Sequence, residues 1–60
     1  MKRYYESMSG WTAFIRVNKD GSATLKVSTN TGKPVFGKVY GSERAAKVAL
    51  GRFAGEWREI

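Results

Sequence analysis

The 60-residue chain contains no cysteine and no histidine. Without thiols there is no disulfide to staple the fold and no thiolate to hold zinc. Without imidazole, the side chain that most readily changes charge near neutral pH is missing, and a nucleophile has lost its usual base. Carboxylates are also scarce, five against eleven Lys and Arg, and no two of them form a pair with an assigned inward geometry. An enzyme is therefore the least favoured class, with no catalytic residue, no metal and no cofactor expected. No apolar run approaches the roughly 18 residues that a membrane helix requires, and the first residues lack a signal-like apolar core. The expectation is a soluble, intracellular and cytoplasmic protein without a membrane partner.

What the chain does have is positive charge. The formal net charge is +6 and the isoelectric point about 10.1. Such a balance favours a polyanion as partner, such as nucleic acid, an anionic membrane surface or an acidic protein, although a merely soluble basic domain is compatible with it. A chain this short buries only roughly 60% of its unfolded surface. One small domain is expected, and dimerisation or a ligand would help to stabilise it.

The central stretch is Ser22-Ala23-Thr24-Leu25-Lys26-Val27-Ser28, in which apolar and polar residues alternate strictly. That period of two marks a strand with one buried face. Trp11–Val17 reads as the strand before it, with Trp11, Ala13, Ile15 and Val17 on one face and Thr12, Phe14 and Arg16 on the other. A three-residue loop of Lys19, Asp20 and Gly21 would join the two strands, with Gly21 in the left-handed conformation. This loop pairs Asn18 with Ser22, Val17 with Ala23, Ile15 with Leu25 and Phe14 with Lys26, so that every apolar pair shares a face.

After a second turn over Thr29–Lys33, Pro34 opens a third strand, and its missing N–H suits a sheet edge. Pairing Val27 with Val35 sets Leu25 opposite Gly37 and Ala23 opposite Val39. Lys26 then faces Phe36, Thr24 faces Lys38 and Ser22 faces Tyr40. Ser42 is a suitable N-cap and Glu43 suits the positive end of a helix dipole. Ala46, Ala49, Leu50 and Phe53 recur at helical spacing, and Trp57 is either a further turn of the same helix or an anchor beyond an end at Gly55. Arg44, Lys47, Gly51, Arg52 and Arg58 form the opposite, solvated face.

The expected fold is therefore α+β: a three-stranded antiparallel meander with one C-terminal helix across one face, in the order β-β-β-α. Residues 11–60 form this domain, and residues 1–10 form a basic N-terminal arm. Lys2 and Arg3 in that arm could reach a nucleic-acid backbone or minor groove. Alternatively the arm frays, or Tyr4 and Tyr5 fold back over the sheet. No internal repeat, linker or low-complexity segment is evident.

On this register the face away from the helix carries Phe14, Arg16, Thr24, Lys26, Phe36, Lys38 and Tyr40, with no carboxylate on any strand. Lys and Arg can neutralise phosphates, Ser and Thr can serve phosphate or base, and aromatics can stack unpaired bases or touch thymine methyls. These residues, with Lys2 and Arg3, are the candidate nucleic-acid contacts. The competing expectation is a protein-binding module, an inhibitor or adaptor that uses the same face or homodimerises through it.

Three strands, one helix and a free basic sheet face resemble the arm-binding DNA domains of phage and transposon integrases and the plant ethylene-response-factor domains. Trp11-x-Ala13-x-Ile15, and Gly32-Lys33-x-Val35 leading to an Ala45-Ala46 helix, are similar to the latter, although in that family the first pattern lies on the second strand. The resemblance implies that Phe14, Arg16, Lys26, Phe36 and Lys38 take contact positions in a duplex major groove. Gly10-Trp11, Leu25-Lys26, Asn30 and Tyr40-Gly41-Ser42 also resemble a YegP-type small domain, which implies no function. The expected function is a small non-enzymatic protein that binds nucleic acid, DNA rather than RNA and duplex rather than single strand, of the kind carried by a phage or mobile element.

Overall fold

The computed structural model describes residues 1–53 and 56–60. It forms one antiparallel sheet of five strands with a helix across one face. The elements are β1 (Lys2–Ser7), β2 (Thr12–Val17), β3 (Ala23–Ser28), β4 (Pro34–Tyr40), α1 (Glu43–Arg52) and β5 (Trp57–Glu59), and the sheet order is β4-β3-β2-β1-β5. The expectation of a three-stranded sheet in the order β-β-β-α is therefore wrong, and only the α+β class stands. Lys2–Ser7, expected within an arm, forms a strand that pairs with β2 over residues 2–6, and β5 adds a fifth strand beyond it.

Three hairpins build the first four strands, each closed by the same device. Ser7, Asn18 and Thr29 each donate a backbone N–H to the carbonyl four residues on, at 2.9, 2.8 and 2.9 Å. The glycines Gly10, Gly21 and Gly32 each return an N–H to the first residue's carbonyl, with φ of 88°, 89° and 87°. This is a type I turn followed by a left-handed residue, and glycine takes that conformation without a Cβ clash. The loops recur at 11-residue intervals, from Gly10 to Gly21 to Gly32. A structural repeat is therefore present, although the strand sequences between the loops do not repeat.

The expected register between β2 and β3 is the observed one: Val17 faces Ala23, Ile15 faces Leu25 and Phe14 faces Lys26. Between β3 and β4 the expected pairing holds at Ser28 and Pro34 and then shifts, because Val35 is an extra residue at a bulge. Beyond it, Val27 pairs with Phe36, Leu25 with Lys38 and Ala23 with Tyr40. A one-residue slip moves every side chain of a strand to the other face. The slip gives the helix side the rings of Phe36 and Tyr40 in place of Gly37 and Val39, and so more apolar area to cover.

The core lies between helix and sheet. Ile15, Leu25 and Val27 are fully buried, joined by Tyr5, Ala13, Ala23, Ala46 and Leu50. Burying side chains of the Ile, Leu and Val type is worth about 1.5–3 kcal/mol each. Trp11, Phe36, Tyr40, Ala49, Phe53 and Trp57 pack around this centre, half-buried.

The Ser42 hydroxyl caps α1 by accepting from the Ala45 N–H at 3.2 Å. The helix stops at Arg52, where Phe53 turns to extended backbone and donates its N–H to the Leu50 carbonyl at 3.0 Å. Gly55, the expected residue just past the helix end, lies outside the described residues. Trp57 sits in β5, beyond the helix, and its indole N–H donates to the Phe53 carbonyl at 3.0 Å. It acts as the post-helical anchor, satisfying a carbonyl near the helix end. Arg58 leaves the helix surface to which it was assigned and also lies in β5.

Candidate nucleic-acid interface

Strand pairing arranges the face away from the helix as three rows. Lys2, Arg16, Thr24 and Val39 form the first, and Tyr4, Phe14, Lys26 and Gly37 the second. Arg58, Glu6, Thr12 and Ser28 form the third. Of the expected contact residues, Lys2, Phe14, Arg16, Thr24 and Lys26 therefore share one surface.

Phe36, Lys38, Tyr40 and Arg3 do not. The bulge at Val35 turns the first three to the helix side, where Phe36 packs on Phe53 and the Lys38 ammonium stands 5.4 Å from the centre of the Tyr40 ring. Arg3 faces Ile15 on the helix side, and its guanidinium binds Glu43 at 2.6 Å and Glu59 at 3.2 Å. Those two carboxylates, Glu43 foremost, raise the Arg3 pKa above its ordinary value. Arg3 joins β1, the helix and β5 and is not available to a ligand on the open face.

In their place the structure adds Tyr4, expected from the sequence only as a possible cover for the sheet. The residue is 50% exposed and its ring stands beside Phe14, with ring centres 6.2 Å apart and planes tilted by 48°. The Lys2 ammonium lies 4.7 Å from the centre of Phe14 and 5.9 Å from that of Tyr4. Such cation–π contacts hold a charge above an aromatic face. Lys26 completes the row: its Cγ is 3.7 Å from where a Cβ on Gly37 would stand, so its stem lies against the bare backbone. The signal for Tyr4 was the alternation of Lys2, Tyr4 and Glu6 with Arg3, Tyr5 and Ser7, hidden because both sets contain a tyrosine and a charge or hydroxyl.

The electrostatics of the surface follow from these rows. Lys2, Arg16, Lys26 and Arg58 bring four positive charges, and Glu6 is the one carboxylate among the described residues of the three rows. Glu6 accepts a hydrogen bond from Arg58 at the sheet margin. The central and first rows are left with Lys2, Arg16 and Lys26 and no negative charge among the described residues. Thr24 is partly engaged, since its hydroxyl accepts from the Asn18 side-chain amide at 3.3 Å.

Tyr5, the other half of the doublet, is buried on the helix side with its hydroxyl unpaired among the described residues. Burial raises its pKa. No helix among the described residues is long and apolar enough to cross a membrane. No protein-family model, curated protein or solved structure matches this chain.

Proposed function

We propose that this chain is a small non-enzymatic nucleic-acid-binding protein that uses the open face of its sheet. The observation that carries the reading is the pair of rows in which Lys2, Arg16 and Lys26 surround Tyr4 and Phe14 without an opposing carboxylate among the described residues. Phosphates are neutralised by such cations, with release of condensed counterions. The aromatic rings offer apolar contact to bases, which a purely phosphate-binding surface does not need. DNA is the favoured polymer.

Salt dependence tests the reading. If Lys2, Arg16 and Lys26 each neutralise one phosphate, affinity for a labelled oligonucleotide falls between 50 and 200 mM salt by roughly 20-fold for a single strand and roughly 40-fold for a duplex. Binding that ignores salt, or no binding to any polynucleotide, defeats it. A second reading, a protein partner or second copy on this face, draws support from the exposure of Tyr4 and Val39. Sedimentation at rising concentration separates self-association from nucleic-acid binding.

A further inference from the structure

Resting on that reading, we infer that the ligand is a single strand whose unpaired bases stack on Tyr4 and Phe14. A duplex presents base edges in its grooves and phosphates on its outside, while its base faces are covered by their neighbours. Two rings on adjacent inner strands are therefore poorly used by a duplex, which can offer them little beyond a thymine methyl. An unpaired base covers such a ring with its own π-face, whatever its identity.

The surroundings of the rings point the same way. Tyr4 and Phe14 are directly paired across β1 and β2, with their ring centres 6.2 Å apart and their planes tilted by 48°, so they offer two adjacent faces, one for each of two unpaired bases. Cations border the pair on two sides, with Lys2 and Arg16 in the neighbouring row and Lys26 beside Phe14 in the same row. A strand with its bases on the rings has its phosphates beside them, within reach of long basic side chains. Gly37 keeps the far end of the row low, because Lys26 lies against bare backbone there.

Duplex readout needs the opposite provision, polar groups standing proud enough to reach base edges. The row polar groups other than the cations and the Glu6–Arg58 pair are the Tyr4 hydroxyl at the tip of its ring and Thr12, Thr24 and Ser28, which are short. Of the cations, Lys2 already directs its ammonium over the aromatic pair. Phe36, Lys38 and Tyr40, which would have widened the surface toward a groove-filling shape, lie on the other side.

The test compares three labelled ligands of equal length at one salt concentration: oligo-dT, the same sugar-phosphate strand without bases, and a hairpin duplex. The expected order places oligo-dT at least about tenfold tighter than either of the others. Tyr4→Ala and Phe14→Ala should each weaken oligo-dT binding by roughly fivefold to a hundredfold, the usual worth of one stacked base. Tyr4→Leu and Phe14→Leu keep apolar bulk for folding while removing the π-face, and should weaken binding as well. Lys38→Ala, on the helix side, should leave it unchanged.

If the abasic strand binds as well as oligo-dT, or the duplex binds more tightly, the stacking inference is overturned while nucleic-acid binding stands. If none of the three binds, the functional reading fails with it. A stable homodimer that Tyr4→Leu dissociates would overturn both.

Discussion

The rings of Phe36 and Phe53 stand 5.0 Å apart, tilted by 56°. One belongs to edge strand β4 and the other to the residue that ends α1, so the contact ties the sheet edge to the helix. Phe36→Ala should lower unfolding free energy by about 2–3 kcal/mol, less than a fully buried ring because Phe36 is only half-buried. Urea denaturation measures this. Oligonucleotide affinity of the folded fraction should not change.

Lys2 and Arg3 are neighbours in sequence and stand on opposite sides of the sheet. Their replacement should separate binding from stability. Lys2→Ala should weaken polynucleotide binding and make it less sensitive to salt by about one phosphate, with the melting temperature nearly unchanged. Arg3→Ala breaks the pairs to Glu43 and Glu59 and should lower the melting temperature, more at low salt than at high, while binding is retained. A reversed pattern would show that β1 faces the other way.

Tyr5 gives a pH signature. Its hydroxyl is buried without a partner among the described residues, and burial raises its pKa above the ordinary value of about 10. A group whose folded pKa is raised favours folding while it holds its proton, fully so below the unfolded value. That contribution is lost as pH climbs through the folded value. Stability should therefore fall from about pH 10 upward. Tyr5→Phe should flatten this alkaline limb and add about 1 kcal/mol at neutral pH, since it removes an unsatisfied buried group. Thermal melts from pH 7 to 11 on the two proteins measure both effects.

Two glycines should respond in opposite directions. Gly51 lies within α1, and a Cβ there meets no heavy atom of the described residues within 4 Å. Gly51→Ala should stabilise by about 1 kcal/mol, the helix-propensity difference. A Cβ at Gly21 also has open space, yet φ there is 89°. Gly21→Ala should cost about 1–2 kcal/mol from backbone conformation alone. Chemical denaturation of the pair distinguishes available space from permitted dihedral angles.

Much of the fold was legible in the chain because it is written in period and loop chemistry. The alternation in β3, the Asp20-Gly21 loop and the Ser42 cap each led to an observed element. The two outer additions were hidden for physical reasons. β1 reads Lys-Arg-Tyr-Tyr-Glu-Ser, whose two faces are about equally polar, so its burial follows from the neighbours it pairs with. β5 has three residues, too few to show a period, and its Trp57 extends the helical spacing. The slip at Val35 is also non-local. It depends on whether Phe36 and Tyr40 or Gly37 and Val39 better cover the core beneath the helix.

The candidate site was half legible for the same reason. Phe14, Arg16, Thr24 and Lys26 lie on strands whose register the alternation fixes. Lys2 belongs to a stretch that reads as a basic arm, yet it reaches the surface through a strand. Phe36, Lys38 and Tyr40 depended on a strand that a single bulge reverses, and Tyr4 on one whose period is masked.

The three equal loops also bear on the order in which the sheet assembles. Each needs only three residues to turn the chain, so β1 to β4 can zip together through contacts close in sequence, and hairpins of this kind form in roughly 1–10 μs. β5 has no such shortcut: Tyr5 meets Glu59 only after the helix has crossed the sheet. Three residues long and held from one side, β5 should be the last strand to join and the first to exchange its amide hydrogens in the native state. Each time it detaches, β1 becomes the sheet's margin, and Arg58 leaves Glu6 unpaired at the border of the Tyr4 row. The charge beside the aromatic platform would then fluctuate with the breathing of one short strand.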